Sequence, residues 1–326
     1  MQGTELPEPH APTPVYVGID VCKAWLDVHL HPLGHGLRVQ NDHIGLRRLK
    51  RALAPLQVVL IVMEATGKYH RHAHRTLAAA GLAVAVVNPL RARLFAEAAG
   101  ALAKTDRLDA RLLALMAEGL GPSARAPMPA ALVELQELAR ARQAAVGETV
   151  ALRNRLGASE LGFLKRELSR RLASLKAHLA RLEAEIQRRI KAEPSLHRRY
   201  LILTSIPGIG PLSALSLLVD LAELGNCSGR AASLLAGLAP LADDSGKNSG
   251  QRRIRGGRAS VRCALYMAAL AAARHNPDLA AFYKRLREAG KKPKIALTAV
   301  MRKLVVLANT LISQDRLWQR QPPIRA

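Results

Sequence analysis

Apolar residues run together at positions 15–20 (VYVGID), and positions 24–30 alternate between apolar and polar, the pattern of a strand paired to its predecessor through a tight turn. Residues 57–63 (QVVLIVM) are apolar on both faces, as a central strand would be. A helical spacing over 69–80 is stopped by Gly81, and 82–87 (LAVAVV) predicts another buried strand ended by Asn88-Pro89. Residues 90–118 read as helix, broken near Gly100 and closed by 119–122. Strands alternating with helices predict an α/β domain over 15–125, preceded by a loose tail at 1–14.

The pattern then changes period. Leu161, Leu164, Leu168, Leu172, Leu175, Leu179, Leu182, Ile186 and Ile190 follow at steps of three or four, with charges between them, until Pro194 ends the run. Residues 131–156 carry a weaker version, so 126–194 predicts an antiparallel helical hairpin of coiled-coil type. Its seam serves equally to pack the hairpin on its own chain or to pair two chains. Residues 195–326 form a further unit, mostly helical, with one Gly- and Arg-rich loop at 243–258.

Composition narrows the function. Across 326 residues, 49 Lys and Arg stand against 25 Asp and Glu, a formal net charge of +24. Such self-repulsion makes sense beside a polyanion, and nucleic acid is the leading candidate over an anionic membrane surface. No stretch reaches the ~18 uninterrupted apolar residues that a bilayer requires, since 295–312 is broken by Arg302 and Lys303. Aromatic residues make up only 3%, which excludes base stacking as the main binding mode. Cys22, Cys227 and Cys263 are widely spaced, against a sulfur-ligated zinc site and in keeping with a reducing cytoplasm.

The acids that remain are placed suggestively. Asp20 and Glu64 end two predicted strands, where open α/β sheets carry their chemistry. Asp106 and Asp109 lie three apart on a predicted helix and so share one face. Four carboxylates in a cationic protein suit Mg²⁺, which takes oxygen ligands and stabilises phosphoryl transfer. The plainer alternative has Asp106 capping its helix and Asp109 pairing with Arg107 or Arg111. The histidine pair His70 and His74 has zinc spacing but no third ligand, and reads as a basic solvated face.

In the last unit, Gly208 and Gly210 (SIPGIGP) can turn backbone N–H groups toward a phosphate or simply join two helices. In the 243–258 loop, Ser245 is followed by Gly246 and surrounded by Lys247, Arg252, Arg253, Arg255 and Arg258, with Arg262 just beyond. A serine hydroxyl becomes a competent nucleophile only where cations, a base or a metal favour its alkoxide. The alternative is a basic loop that grips DNA with ordinary serines.

The stretches YVGIDVCKAWLDV, VMEATGKYH, ALAKTDRLDARLLA, SIPGIGPLSA and LAGLAPLADDSGKNSGQRRIRGGRASVRCALYMAALAAARHNP, in this order, strongly resemble the transposases of IS110/IS1111-type insertion sequences. The resemblance implies an RNase H-like (RuvC-like) α/β domain, a coiled-coil linker and a mostly α-helical C-terminal transposase domain. It places the family's acidic quartet, the ligands of Mg²⁺, on Asp20, Glu64, Asp106 and Asp109, and its essential serine on Ser245. It implies a recombinase that links covalently to donor and target DNA through phosphoserine. It further implies a noncoding bridge RNA as guide and assembly from dimer to tetramer in the bacterial cytoplasm at the nucleoid. Lys104 and Arg107, beside the acids, join the loop cations and the two glycines as nucleic-acid contacts. Cys22 departs from the small serine that many relatives carry. Two rival functions remain on the residues alone: a junction nuclease in which the acids activate water and leave no covalent intermediate, and a non-enzymatic nucleic-acid packaging protein.

Overall fold

A computed structural model describes residues 13–100, 106–241, 244–245, 248–249 and 253–320, with the backbone alone for 106–108, 244–245 and 248–249. Residues 1–12 of the expected tail, and Lys104, Lys247 and Arg252, lie outside the described residues. The chain divides into two units, Met1–Met128 and Pro129–Ala326.

In the first unit the leading apolar run is β1 (Pro14–Val21), and β2 (Trp25–His31) folds back on it antiparallel as the alternation predicts. β3 (His35–Gln40) extends the meander, and α1 (His43–Leu53) follows it. β4 (Gln57–Glu64) then lies parallel to β1 on its other side. After α2 (His70–Ala78), β5 (Val84–Val87) is added parallel to β4. The result is a mixed five-stranded sheet in the order β3-β2-β1-β4-β5, followed by α3 (Pro89–Ala98) and α4 (Asp106–Leu120).

The period of two sorts the strand residues between two cores. Val15, Val17, Ile19 and Val21 of β1 face α1 and α2 and bury against Leu46, Leu49, Leu53, Ala73 and Leu77. Leu60, Val62, Ala85 and Val87 face the other way, onto Leu113, Met116 and Ala117 of α4. Each such fully buried Leu or Ile removes surface worth roughly 1.5–3 kcal/mol from water. The sheet therefore has a helix on either face, which is why its interior strands read as continuous apolar runs.

The second unit opens with α5 (Ala130–Ala158) and α6 (Gly162–Ala192), of 29 and 31 residues. Arg142 meets Glu183 at 2.7 Å and Arg189 meets Glu134, so residue numbers rise on one helix as they fall on the other. This is the predicted antiparallel hairpin. Ile186 and Ile190 are buried, while Leu161 and Leu164 at the far end are 62% and 46% exposed.

α7 (Pro194–Ser205), α8 (Pro211–Asp220) and α9 (Gly229–Leu235) come next. Four two-residue strands follow: β6 (Pro240–Leu241), β7 (Asp244–Ser245), β8 (Asn248–Ser249) and β9 (Arg253–Ile254). α10 (Ala259–His275), α11 (Pro277–Glu288) and α12 (Pro293–Ser313) complete the unit. By length and composition α12 could cross a bilayer. Here it buries Val300, Leu304, Val305, Ala308 and Leu311 as the central helix of this unit, packed by α9, α10 and α11.

Candidate active site

Asp20 and Glu64 are brought together by strand pairing. Ile19 is level with Met63 in the parallel β1–β4 ladder, and each acid is the next residue along its strand. Ile19 and Met63 are buried against α1 and α2, so by alternation both acids belong to the face that α4 covers. Both are half-buried at the carboxyl ends of their strands, as is Asp109 on α4.

Gly18 is the reason α4 can reach them. A Cβ at this position would stand 1.9 Å from the Ala110 carbonyl oxygen and 2.4 Å from the Ala114 nitrogen, so the helix backbone lies directly on the strand. Farther along the helix, Glu118 meets Nε2 of His31 at 3.0 Å, and His31 is paired with Tyr16 of β1. α4 thus runs from the Asp20 end of β1 toward its Tyr16 end. Its first turn, carrying Asp106 and Asp109, starts at the acid-bearing end of the sheet. Among the described residues no three His, Cys, Asp or Glu side chains already converge as a metal cluster, and Asp106 contributes only its backbone to that description. The donor set is all carboxylate, the oxygen chemistry of a hard divalent cation.

One acid in this row escapes the sequence pattern. Asp27 is paired with Asp20 across β1–β2, and Arg38 is paired with Asp27 across β2–β3. Asp27 is only 6% exposed and accepts from Nε and Nη2 of Arg38, both at 2.8 Å. A buried carboxylate without such a partner is costly, and the fork of guanidinium donors matches it. The available signal was a charge set between Leu26 and Val28 inside a strand. Beside it, burial lowers the pKa of His29, helped by the charges of Arg111 and His31.

Ser245 lies in the second unit. β6 pairs antiparallel with β9, and farther along the same segment β7 pairs with β8, setting Ser245 level with Asn248. The segment doubles back on itself as a ribbon, with Ser245 on its outer ladder. Arg253 and Arg255 are exposed. Arg258 instead donates to both carboxylate oxygens of Glu223 at 2.6 Å and to the Asp220 carbonyl at 2.7 Å. Arg262 donates to the Gly256 carbonyl.

Of the two turn glycines, Gly208 (φ +107) is wedged on α10, where a Cβ would stand 2.5 Å from that of Ala272. Gly210 is open at the N-cap of α8. The solvated histidine face fails at His74. It is buried, with Nε2 2.9 Å from the Arg125 carbonyl oxygen, because α2 turns Ala73, His74 and Leu77 inward. Cys22 is exposed, its sulfur accepting from the Trp25 N–H at 3.1 Å.

Residues 17–159 match the DEDD, IS110-type family model described as Transposase. Residues 200–284 match the model described as Transposase IS116/IS110/IS902 family. The "Pilin gene-inverting protein" of Moraxella bovis is 27% identical over 316 residues, covering 94% of this chain and 98% of its own. Its namesake in Moraxella lacunata has the same identity and coverage. The "Probable family 20 transposase" of Pseudomonas aeruginosa is 27% identical over 306 residues, covering 76% of this chain and 84% of its own.

Proposed function

The chain belongs to the IS110 family of transposases and is a DNA transposase or recombinase, and from that premise we propose how its residues divide the reaction. The first unit is a RuvC-like (RNase H-like) domain in which Asp20, Glu64, Asp106 and Asp109 hold Mg²⁺. What supports this is the geometry at the carboxyl ends of β1 and β4: two acids side by side, with the acid-bearing turn of α4 starting at the same end. When bound, the ion would supply Lewis-acid stabilisation to the scissile phosphate.

Ser245 is the nucleophile. Its Oγ forms a new bond to phosphorus as the bond from phosphorus to the leaving deoxyribose oxygen breaks. The serine proton leaves to solvent and the departing oxygen takes one up. The phosphoserine retains an ester at phosphorus, which the rejoining strand end attacks in turn. Arg253 and Arg255, exposed on the ribbon, meet the charge that develops on the phosphate.

Rejoining, which the phosphoserine allows, is favoured over hydrolysis by the name that the Moraxella relatives carry. Inverting a gene requires that cut ends be rejoined, and a nuclease leaves them free. A net charge of +24 with 3% aromatic residues fits a protein that binds nucleic-acid backbone and leaves sequence choice to pairing. We therefore assign donor and target DNA, a noncoding bridge RNA and a homo-oligomer as partners, acting in the cytoplasm at the nucleoid.

The decisive experiment incubates the protein with DNA carrying its insertion ends and traps protein–DNA adducts. Ser245→Ala is expected to abolish the adduct while DNA still binds. An adduct that survives the substitution removes the serine from its role, and free ends without any adduct in the wild type establish the nuclease. Sequencing of co-purified RNA is expected to return one discrete transcript, and random cellular RNA overturns the guide.

A further inference from the structure

The Gly- and Arg-rich segment is basic in its second half, yet the structure gives Arg258 and the following Arg262 protein partners. Arg258 closes the segment just before α10. Its guanidinium is held in bidentate fashion by Glu223, at 2.6 Å for each bond, and by the Asp220 carbonyl at 2.7 Å. Its backbone N–H donates to the Leu235 carbonyl at 2.9 Å. The side chains are partly buried, and the bond to Glu223 raises the guanidinium pKa.

The loop that carries Glu223 is itself tied to the core. Arg199 donates to the carbonyls of Ala222 and Leu224 at 3.1 and 2.9 Å. Asn309 of α12 accepts from the Gly225 N–H and donates to the Cys227 carbonyl, each at 2.8 Å. A second tie is steric. Gly257 (φ +67) crosses Gly237 so closely that a Cβ on it would stand 2.1 Å from the Gly237 nitrogen. Arg262 secures the same point through the Gly256 carbonyl.

We propose that Glu223 and Arg258 are positioning residues: they clamp the root of the ribbon that presents Ser245, and Arg258 and Arg262 serve the reaction through that clamp, with no contact to phosphate. The inference rests on the reading of Ser245 as nucleophile. An isolated two-stranded ribbon is marginal in water, so its direction is set where it joins the core. The planar fork of an Arg–carboxylate pair fixes both distance and angle, which a lysine cannot do. Phosphate binding by Arg258 would break its bidentate pair with the partly buried Glu223 and its bond to the Asp220 carbonyl, so the guanidinium is already engaged by the protein. A nucleophile displaced by about 1 Å can react about 100-fold more slowly.

The test measures single-turnover adduct formation and DNA affinity on the full-length protein. Glu223→Gln and Arg258→Lys are expected to slow adduct formation about 10- to 100-fold with affinity and melting temperature close to wild type. The swap Glu223→Arg with Arg258→Glu is expected to recover part of the rate, which a general loss of folding would not allow. For Arg258→Gln, the slope of log affinity against log salt is expected to stay at the wild-type value. A fall of about 0.9 in that slope is the signature of a lost phosphate contact and overturns the proposal. Should Glu223→Gln fail to fold, Glu223→Asp retracts the carboxylate without removing its charge, and a wild-type rate there also overturns it. Wild-type adduct with unchanged rates in the variants sinks the clamp alone, whereas no adduct from the wild type sinks the nucleophile and the clamp with it.

Discussion

Asp20 and Glu64 end neighbouring parallel strands in the interior of a five-stranded sheet, under a helix seated so closely on Gly18 that no methyl group fits between. Ser245 stands on a strand of two residues, paired with another of two, in a segment whose root is tied by the Arg258–Glu223 ion pair, the Arg262 bond to the Gly256 carbonyl and the crossing of Gly257 over Gly237. In the first region many buried contacts fix the backbone, so the acids have little to do with keeping their own place. In the second, a few polar links set the direction of a ribbon with almost no core. Substitutions should therefore divide cleanly: in the first region chemistry and stability are separate properties of different residues, and in the second positioning is lost without unfolding.

The sharpest expected effect is chemical. Asp20→Asn keeps the shape and removes the charge, and strand cleavage should fall on the order of 1,000-fold, about 4 kcal/mol of transition-state stabilisation. Its unfolding midpoint should match the wild type. Cleavage at wild-type rate would mean that the sheet end is a scaffold only, and the contrast with Ser245 would vanish.

Stability in that region belongs to Gly18. Gly18→Ala forces α4 off β1, and urea denaturation should show a loss of about 3 kcal/mol. Gly257→Ala introduces an equally close clash, 2.1 Å from backbone, at φ +67. There the ribbon can swing away, so adduct formation should slow while the midpoint moves little. Equal losses of stability in the two variants would break the comparison.

A smaller loss is expected at Asp27 and Arg38. Arg38→Met strands a carboxylate that is only 6% exposed. The cost should be about 2 kcal/mol, below the ~3–5 of a fully buried pair because water reaches the arginine. Adding Asp27→Asn should restore most of it, as chemical denaturation of both variants would show. A double variant no better than the single would mean that the pair contributes packing alone.

How much of this could be read from the residues differs between the regions for the same reason. VYVGID, QVVLIVM, the stop at Gly81 (φ +81) and the leucine series are local patterns, and β1, β4, the end of α2 and the α5–α6 hairpin follow from them. β3 (HGLRVQ) and α1 fell outside the expected elements. β3 buries Val39 alone and its alternation holds only two apolar residues, Leu37 and Val39, though the Asp42 cap of α1, accepting from the Gly45 N–H at 2.8 Å, was in principle visible. Asp20 and Glu64 stood out because each follows an apolar run. Asp27 was hidden by the alternation of β2, where a polar residue at every second place is expected. Glu223 had no local signal at all, since Arg258 is 35 residues away and the packing of α8 against α10 brings the two together. His74 misled because its neighbours are basic, and which side of α2 faces inward is settled by the sheet.

Acid should also separate the two units, with the smallest effect of all. In the first unit, the pKa values of His29 and His70 are both lowered, chiefly by burial. Arg111 and His31 add to this around His29; around His70 the Thr66 carbonyl opposes it and Arg71 and His74 reinforce it. An unfolded histidine takes its proton near pH 6.5, and these two take theirs lower, so their contribution is whole above about pH 6.5 and declines as the pH falls below it. In the second unit a carboxyl is lowered instead: Glu185, to about 2, through its bonds to Arg188 and Arg189. That contribution is whole above the usual carboxylate value of 4.5 and fades only toward pH 2. Hydrogen exchange between about pH 7.5 and 5.5 should therefore show amides of β1 and β4 losing protection before those of α10 and α12. Replacing His70 with Gln should narrow the difference, because a side chain that does not titrate leaves the folded and unfolded states with the same proton count at that position. If protection falls equally in both units, burial of these histidines is not what ties the first unit to pH.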